Sequence, residues 1–186
     1  MREEIKRSAD VLRKGGIILY PTDTVWGIGC DATNETAVQK IFKIKQRSEA
    51  KSMIVLVAET HQVSFYADEP AVAKDLAEFA EKPLTIIYPK AKGIAKSLIA
   101  EDGSIGIRVV KDEFCQQLID FLHKPLVSTS ANISGELSPS NFSEISDIIK
   151  TSVDYVVNLR QEEKGKSTPS QIIKIGMDGL IQIIRK

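Results

Sequence analysis

Short, almost wholly apolar runs alternate with amphipathic helical patterns along this chain, and that alternation limits its fold more than any motif does. Ile17 to Tyr20, "SMIVLVA" from Ser52, "LTIIYP" from Leu84, "SIGIRVV" from Ser104 and "LVSTSAN" from Leu126 suit strands covered on both faces. Between them lie helical spacings. Glu3 to Lys14 carries Ile5, Ala9, Val11 and Leu12 before a Gly15-Gly16 stop, and Asn34 caps a pattern that runs to about Arg47 through Val38, Ile41 and Phe42. Further helices are expected from Pro70 to Glu81, with Val72, Leu76 and Phe79 inward, from Asp112 to His123, and from Asn141 to Lys150. The tail has three strand patterns, "DYVVNL", "QIIKI" and "LIQIIR", with no helix between them. The last two are joined at Met177-Asp178-Gly179, a hairpin signal. The expectation is an α/β fold: a twisted mixed parallel and antiparallel sheet with flanking helices, in one domain over residues 1–186.

Composition narrows the function. Lys+Arg and Asp+Glu are both 25, so affinity for phosphate or nucleic acid must come from local clustering rather than from net charge. Cys30, Cys115, His61 and His123 fit no metal-ligand spacing and no histidine-based triad. No apolar run approaches the roughly 20 residues of a spanning helix, and "MREEIKRSAD" lacks the apolar core of a signal peptide, so a cytoplasmic, membrane-free protein is expected.

Several strand ends carry more polar groups than a turn needs. Tyr20 is followed by Thr22-Asp23-Thr24 and the lone Trp26; Val127 leads into Ser128-Thr129-Ser130-Ala131-Asn132; Ser170 precedes "QIIKI". Capping accounts for any one of these hydroxyls, whereas their clustering points to a crevice beyond the carboxyl ends of the strands. The loop "STSANISG" offers successive N–H groups and hydroxyls to an anion, although no Walker sequence is present. Lys45 falls on the apolar side of its helix, where an ammonium either snorkels outward or enters a cavity. With Arg47 and Lys51 it makes three cations in seven residues, a solvated surface or a polyphosphate site. Arg108 interrupts an apolar strand, a costly place for a charge unless it is paired, faces an anion or lies at a sheet edge. Arg160 to Ser170, "RQEEKGKSTPS", has the composition of a loop over a site.

Taken together, "PTDTVWGIGCDA", Lys45-Gln46-Arg47 with Lys51, "SIGIRV", "STSANISGELSPS", "TPSQIIKI" and the terminal "IIR" resemble, in order and spacing, the YrdC-like threonylcarbamoyl-AMP synthases in their short form. The resemblance implies a sheet enclosing a basic cavity. It implies that ATP, L-threonine and bicarbonate are joined into threonylcarbamoyl-AMP with release of pyrophosphate, Mg2+ accompanying the ATP without protein side-chain ligands. Proteins that transfer the threonylcarbamoyl group to tRNA are the implied downstream partners, with tRNA or double-stranded RNA itself a further contact. Carried over by motif, Lys45, Arg47, Ser130 and Asn132 form the catalytic set; Thr24, Arg108, Ser128 and Ser170 surround the threonine; Arg47, Lys51, Ser104, Ser130, Ser138 and Arg185 contact the nucleotide. Leu56 stands where many members have a histidine near the threonine, and Trp26 where tyrosine is usual. Asp23 is unassigned: it caps a turn, orients a cation or does neither. The rival reading is a non-catalytic, RNA-binding member of the same fold, which would not need the lysine, arginine, serine and asparagine set.

Overall fold

The computed structural model describes residues 1–46, 53–164 and 168–186. α1 (Arg2–Arg13) buries Ile5, Ser8, Ala9 and Leu12 along one stripe, as its spacing requires. It is followed by β1 (Ile18–Tyr20), β2 (Gly27–Gly29) and α2 (Glu35–Ile44), whose Asn34 cap accepts from the Ala37 N–H at 3.1 Å. β3 (Ile54–Val57) leads through a 3-10 turn at Thr60–Gln62 into the single-turn α3 (Val63–Tyr66), then α4 (Ala71–Phe79) and β4 (Leu84–Tyr88). β5 (Ile105–Val109), α5 (Glu113–Leu122) and β6 (Leu126–Ser130) come next, then α6 (Asp147–Ser152), β7 (Tyr155–Val156), β8 (Gln171–Ile175) and β9 (Ile181–Arg185).

The described strands form one sheet in the order β7-β1-β2-β6-β3-β5-β4-β8-β9. β1–β7, β3–β5 and β4–β8 pair parallel, and the remaining pairs are antiparallel, which makes the mixed α/β sheet expected from the sequence. The terminal hairpin forms as expected, with Gly179 at φ 80 in its turn.

Three elements differ from the sequence reading. The strand patterns of the sequence do not include β2, because "GIG" lacks side chains that favour strands; it exists because β1 and β6 flank it and take up its backbone hydrogen bonds. The helix expected over 141–150 is broken into a 3-10 turn at Phe142–Glu144 and α6, with Ile145 extended between them and buried in the core. Asn141 accepts from the Glu144 N–H and caps the first turn, so the helix restarts after Ser146. α4 turns Ala73 and Ala77 inward, while Phe79 is 75% exposed and Val72 and Leu76 sit at the rim. Small residues bring this helix close to the sheet, whereas the sequence reading followed the large ones.

Register fixes which side chains share a face. Ile54 pairs with Ser128 and with Gly106, and Leu56 pairs with Arg108. Thr85 pairs with Ile172, which in turn pairs with Arg185 beyond a bulge at Ile172/Ile173. One face of the sheet therefore carries serine, threonine and two arginines across strands that are distant in sequence.

Candidate functional site

Within the turn after β1 the two threonines take different tasks. Thr22 Oγ1 donates to the Val25 carbonyl at 2.8 Å and accepts from the Thr24 N–H at 3.0 Å, so it builds the turn. Thr24 Oγ1 accepts from Arg108 Nη1 at 3.0 Å and lies 3.0 Å from Thr22 Oγ1. Arg108 is 2% exposed on β5, and its Nη2 is 3.1 Å from Asp23 Oδ1. Asp23 Oδ2 accepts from the Lys111 N–H at 3.0 Å. The guanidinium predicted to need a partner thus has a carboxylate and a hydroxyl, both from the β1–β2 turn, although β6 and β3 lie between that turn and β5 in the sheet order. The sheet coils enough to bring the turn over the β5 face.

Lys45 caps the C-terminus of α2 and is 1% exposed. Its ammonium donates to the Ser130 carbonyl at 2.5 Å and the Asn132 carbonyl at 2.6 Å, and its own carbonyl accepts from the Ser134 N–H at 2.9 Å. The lysine neither snorkels nor lines the open cavity; it clamps the loop after β6. Asn132 closes the same loop from within, donating to the Ile133 carbonyl at 2.9 Å and the Glu136 carbonyl at 2.8 Å while its Oδ1 accepts from Ser130 Oγ at 2.5 Å. Lys45, Ser130 and Asn132 are therefore brought together as predicted, with the lysine and asparagine shaping the loop that presents Ser130.

A cavity of about 210 Å³ opens on the Arg108 face, with Thr24, Ser128, Ser130, Ser138, Ser170 and Arg185 among its walls and Met53 and Ile54 as an apolar side. Arg185 donates to the Ser170 carbonyl through Nε at 3.0 Å and Nη2 at 2.7 Å, and Ser170 Oγ is 2.8 Å from Thr85 Oγ1. Burial, with the charge of Arg108 added, lowers the Arg185 pKa: both guanidiniums act on one space. β6 and β9 supply carboxyl ends to the cavity, but β3 and β8 supply amino ends. The crevice expected beyond carboxyl ends is instead a pocket on the face of a mixed sheet.

Other predicted residues fall elsewhere. Ser104 donates to Asp102 Oδ1 at 2.6 Å and is not among the cavity walls. Arg47 and Lys51 lie outside the described residues. Leu56 sits beside Arg108 in register but is completely enclosed. Pro169 and Ser170, at the end of the loop expected to cover a site, do line the cavity, and Arg160 anchors the loop's start on Asp112 Oδ2 at 2.8 Å and Glu163 Oε2 at 2.9 Å. Trp26 packs on Phe142, ring centres 4.8 Å apart, and walls a second cavity of about 300 Å³ with Thr22, Asp23, Asn141 and Arg160. Thr24 borders both spaces. A larger hollow of about 400 Å³ near Tyr66 and His123 contains none of the predicted residues, so size does not select the site.

Burial pushes the Tyr20 phenol and the Cys30 and Cys115 thiols well above their ordinary ranges, which leaves them unsuited to act as nucleophile or base at neutral pH. Among the described residues no three His, Cys, Asp or Glu side chains gather as a metal site. The sequence reading leaves open that Asp23 orients a cation but does not name Arg108 as that cation. A buried arginine calls for a carboxylate, and Asp23 was the unassigned one within a polar motif, but nothing in the sequence places the two together.

The family model Sua5_yciO_yrdC, described as telomere recombination, matches residues 10–186. A threonylcarbamoyl-AMP synthase of Idiomarina loihiensis is 35% identical over 164 residues, covering 86% of this chain and 87% of that protein. A putative threonylcarbamoyl-AMP synthase of Methanocaldococcus jannaschii is 38% identical over 186 residues, covering 97% of this chain and 86% of that protein. The E. coli YciO crystal structure superposes with a TM-score of 0.87 at 25% identity, over 100% of this chain and 90% of its own. P. abyssi Sua5 complexed with L-threonine superposes with a TM-score of 0.81 at 28% identity; the match covers 92% of this chain and 50% of that one, so this chain spans about half of it.

Proposed function

The chain belongs to the Sua5/YciO/YrdC family, and from that premise we propose that it is a threonylcarbamoyl-AMP synthase, forming threonylcarbamoyl-AMP and pyrophosphate from L-threonine, bicarbonate and ATP. The observation that carries this reading is the convergence of Arg108, Arg185, Thr24, Ser128, Ser130 and Ser170 on one cavity, with basic groups on one side and hydroxyls around it. The related enzymes and the threonine complex of P. abyssi Sua5 support it.

The chemistry explains the charge. The threonine amine and bicarbonate give an N-carboxylate with loss of water. An oxygen of that carboxylate attacks the α-phosphorus of ATP, and the bond to the β-phosphate oxygen breaks to release pyrophosphate. Nucleophile and electrophile are both anions, so their repulsion contributes to the barrier. In this reading Arg108 and Thr24 hold the amino acid, with Ser128 and Ser170 beside it. Arg185, Ser130 and Ser138 hold the nucleotide, with Ser104, Arg47 and Lys51 assigned to it by motif alone. Mg2+ arrives with ATP as part of the substrate. Catalysis then consists mainly of placing two anions together against fixed positive charge. The product passes to proteins that transfer the threonylcarbamoyl group to tRNA, and direct contact with tRNA or double-stranded RNA belongs to the same proposal. No helix of the described residues is long and apolar enough to cross a membrane.

Purified protein supplied with ATP, Mg2+ and bicarbonate is expected to release pyrophosphate only when L-threonine is added. Equal release without threonine would overturn the synthase reading, and RNA binding with no adenylate formed would replace it with the binding-protein alternative.

A further inference from the structure

We infer that Asp23 is a positioning residue that sets the Arg108 guanidinium for the amino-acid substrate. The inference rests on the synthase reading above and adds to it a role for a residue outside the predicted site. Three observations support it.

The first is how the Asp23 carboxylate is divided. Oδ2 is held by the Lys111 N–H at 3.0 Å, just beyond the end of β5, while Oδ1 faces Arg108 Nη2 at 3.1 Å. A carboxylate anchored to backbone on one side cannot follow the guanidinium if it rotates. It therefore sets a negative charge at one fixed point beside Arg108, while the directed bond from Nη1 to Thr24 Oγ1 gives the guanidinium its angle.

The second is what remains of the arginine's donor capacity. Nη1 donates to Thr24 Oγ1 at 3.0 Å, but among the described residues Nε and Nη2 make no directed hydrogen bond despite the short Nη2 to Oδ1 distance. The ion pair is held by charge rather than by an aligned N–H. Arg108 is thus held with two buried donor atoms that the described residues do not saturate, an incomplete set that a carboxylate at the cavity wall would help to complete.

The third is the position of the pair between two spaces. Arg108 lines the cavity of about 210 Å³, Asp23 lines the neighbouring one of about 300 Å³, and Thr24 borders both. Asp23 therefore stands behind the arginine and does not compete with a bound carboxylate. A second guanidinium, Arg185, faces the same cavity, and its repulsion would push an unrestrained Arg108 away. The negative charge behind Arg108 opposes that push.

The test is a kinetic comparison of Asp23→Asn, Asp23→Glu, Arg108→Lys and the Asp23→Asn/Arg108→Lys pair, each also followed by thermal melt. Asp23→Asn keeps the size and loses the charge. It is expected to raise the KM for threonine at least about tenfold while the KM for ATP changes less than about twofold, the size of effect a misoriented charged contact produces. Asp23→Glu restores the charge with one extra methylene, and the threonine KM is expected to return to within about threefold of the parent. In the Arg108→Lys background, Asp23→Asn should add less than about twofold, because the effect passes through the guanidinium. A threonine KM unchanged in Asp23→Asn, a parallel rise in both KM values, or full additivity in the pair would each overturn the inference. If Asp23→Asn does not melt cooperatively, Asp23→Ser takes its place as the charge-removing variant: a rise confined to the threonine KM supports the role, and no rise or an equal rise for ATP overturns it. Parent protein that releases no threonine-dependent pyrophosphate sinks the synthase reading itself, an outcome distinct from any of these.

Discussion

Lys45 shows how a residue's place can be legible in the sequence while its contacts are not. Its helical position pointed it inward, and it is inside, but main-chain carbonyls of the β6 loop take its ammonium. A contact to carbonyl oxygens leaves no trace in the partner's side chains, so no sequence pattern could have revealed it. Lys45→Met strands those buried acceptors, and a loss of about 1–3 kcal/mol for each is expected. At roughly 2–4 °C per kcal/mol for a chain of this size, the fall in melting temperature is readily measured. Turnover should drop at least about a hundredfold in the same variant, since the loop presenting Ser130 is released. Melting unchanged with activity lost would instead place the lysine on the substrates. Arg108 was legible for the opposite reason: a charge inside an apolar strand is conspicuous, whereas the identity of its partner depended on a fold that brings residue 23 to residue 108.

For whole elements, apolar periodicity identified the longer helices and all strands but β2, because those strands carry a β-branched or bulky apolar side chain at most positions. It failed where small residues define the contact, at α4 and at β2. The glycines of "WGIG" illustrate the cause. A Cβ on Gly29 would stand 2.3 Å from the Val127 carbonyl oxygen and 2.7 Å from Tyr20 Cε1, so β2 fits between its neighbours only without a side chain there. Gly29→Ala is expected to cost at least about 1–3 kcal/mol by chemical denaturation, as overpacking does; no loss would mean that the strands part freely. β8 is tied to the loop before β5 by Lys174 and Asp102. Hydrogen bonds from the Lys174 ammonium, then from Ser104, hold the Asp102 carboxyl below the usual carboxylate range. A depressed value in the folded state stabilises above the unfolded value and fades as the pH falls below it. The melting-temperature gap between the parent and Asp102→Asn should therefore be full near neutral pH, begin to narrow below about pH 4 and close only as the pH falls through the lower folded value. A gap independent of pH would show that the carboxylate contributes nothing through its charge.

Across the molecule as a whole, a neutral chain has gathered two guanidiniums on one face of a mixed sheet, which no count of charges could show. That concentration draws on residues from the first turn to the last strand, so the cavity forms only when the entire sheet has closed. Its walls are nevertheless unequal. β3 and β5 lie in the middle of the sheet, while β9 is an edge strand, bonded among the described strands to β8 alone, with all five of its residues exposed. Arg185 belongs to that strand. Amide hydrogens of β9 are therefore expected to exchange with solvent far faster than those of β5, and heat should abolish the proposed nucleotide binding some degrees before the molecule melts. The fraying of one peripheral strand, rather than global unfolding, would then set the temperature ceiling at which the protein can work.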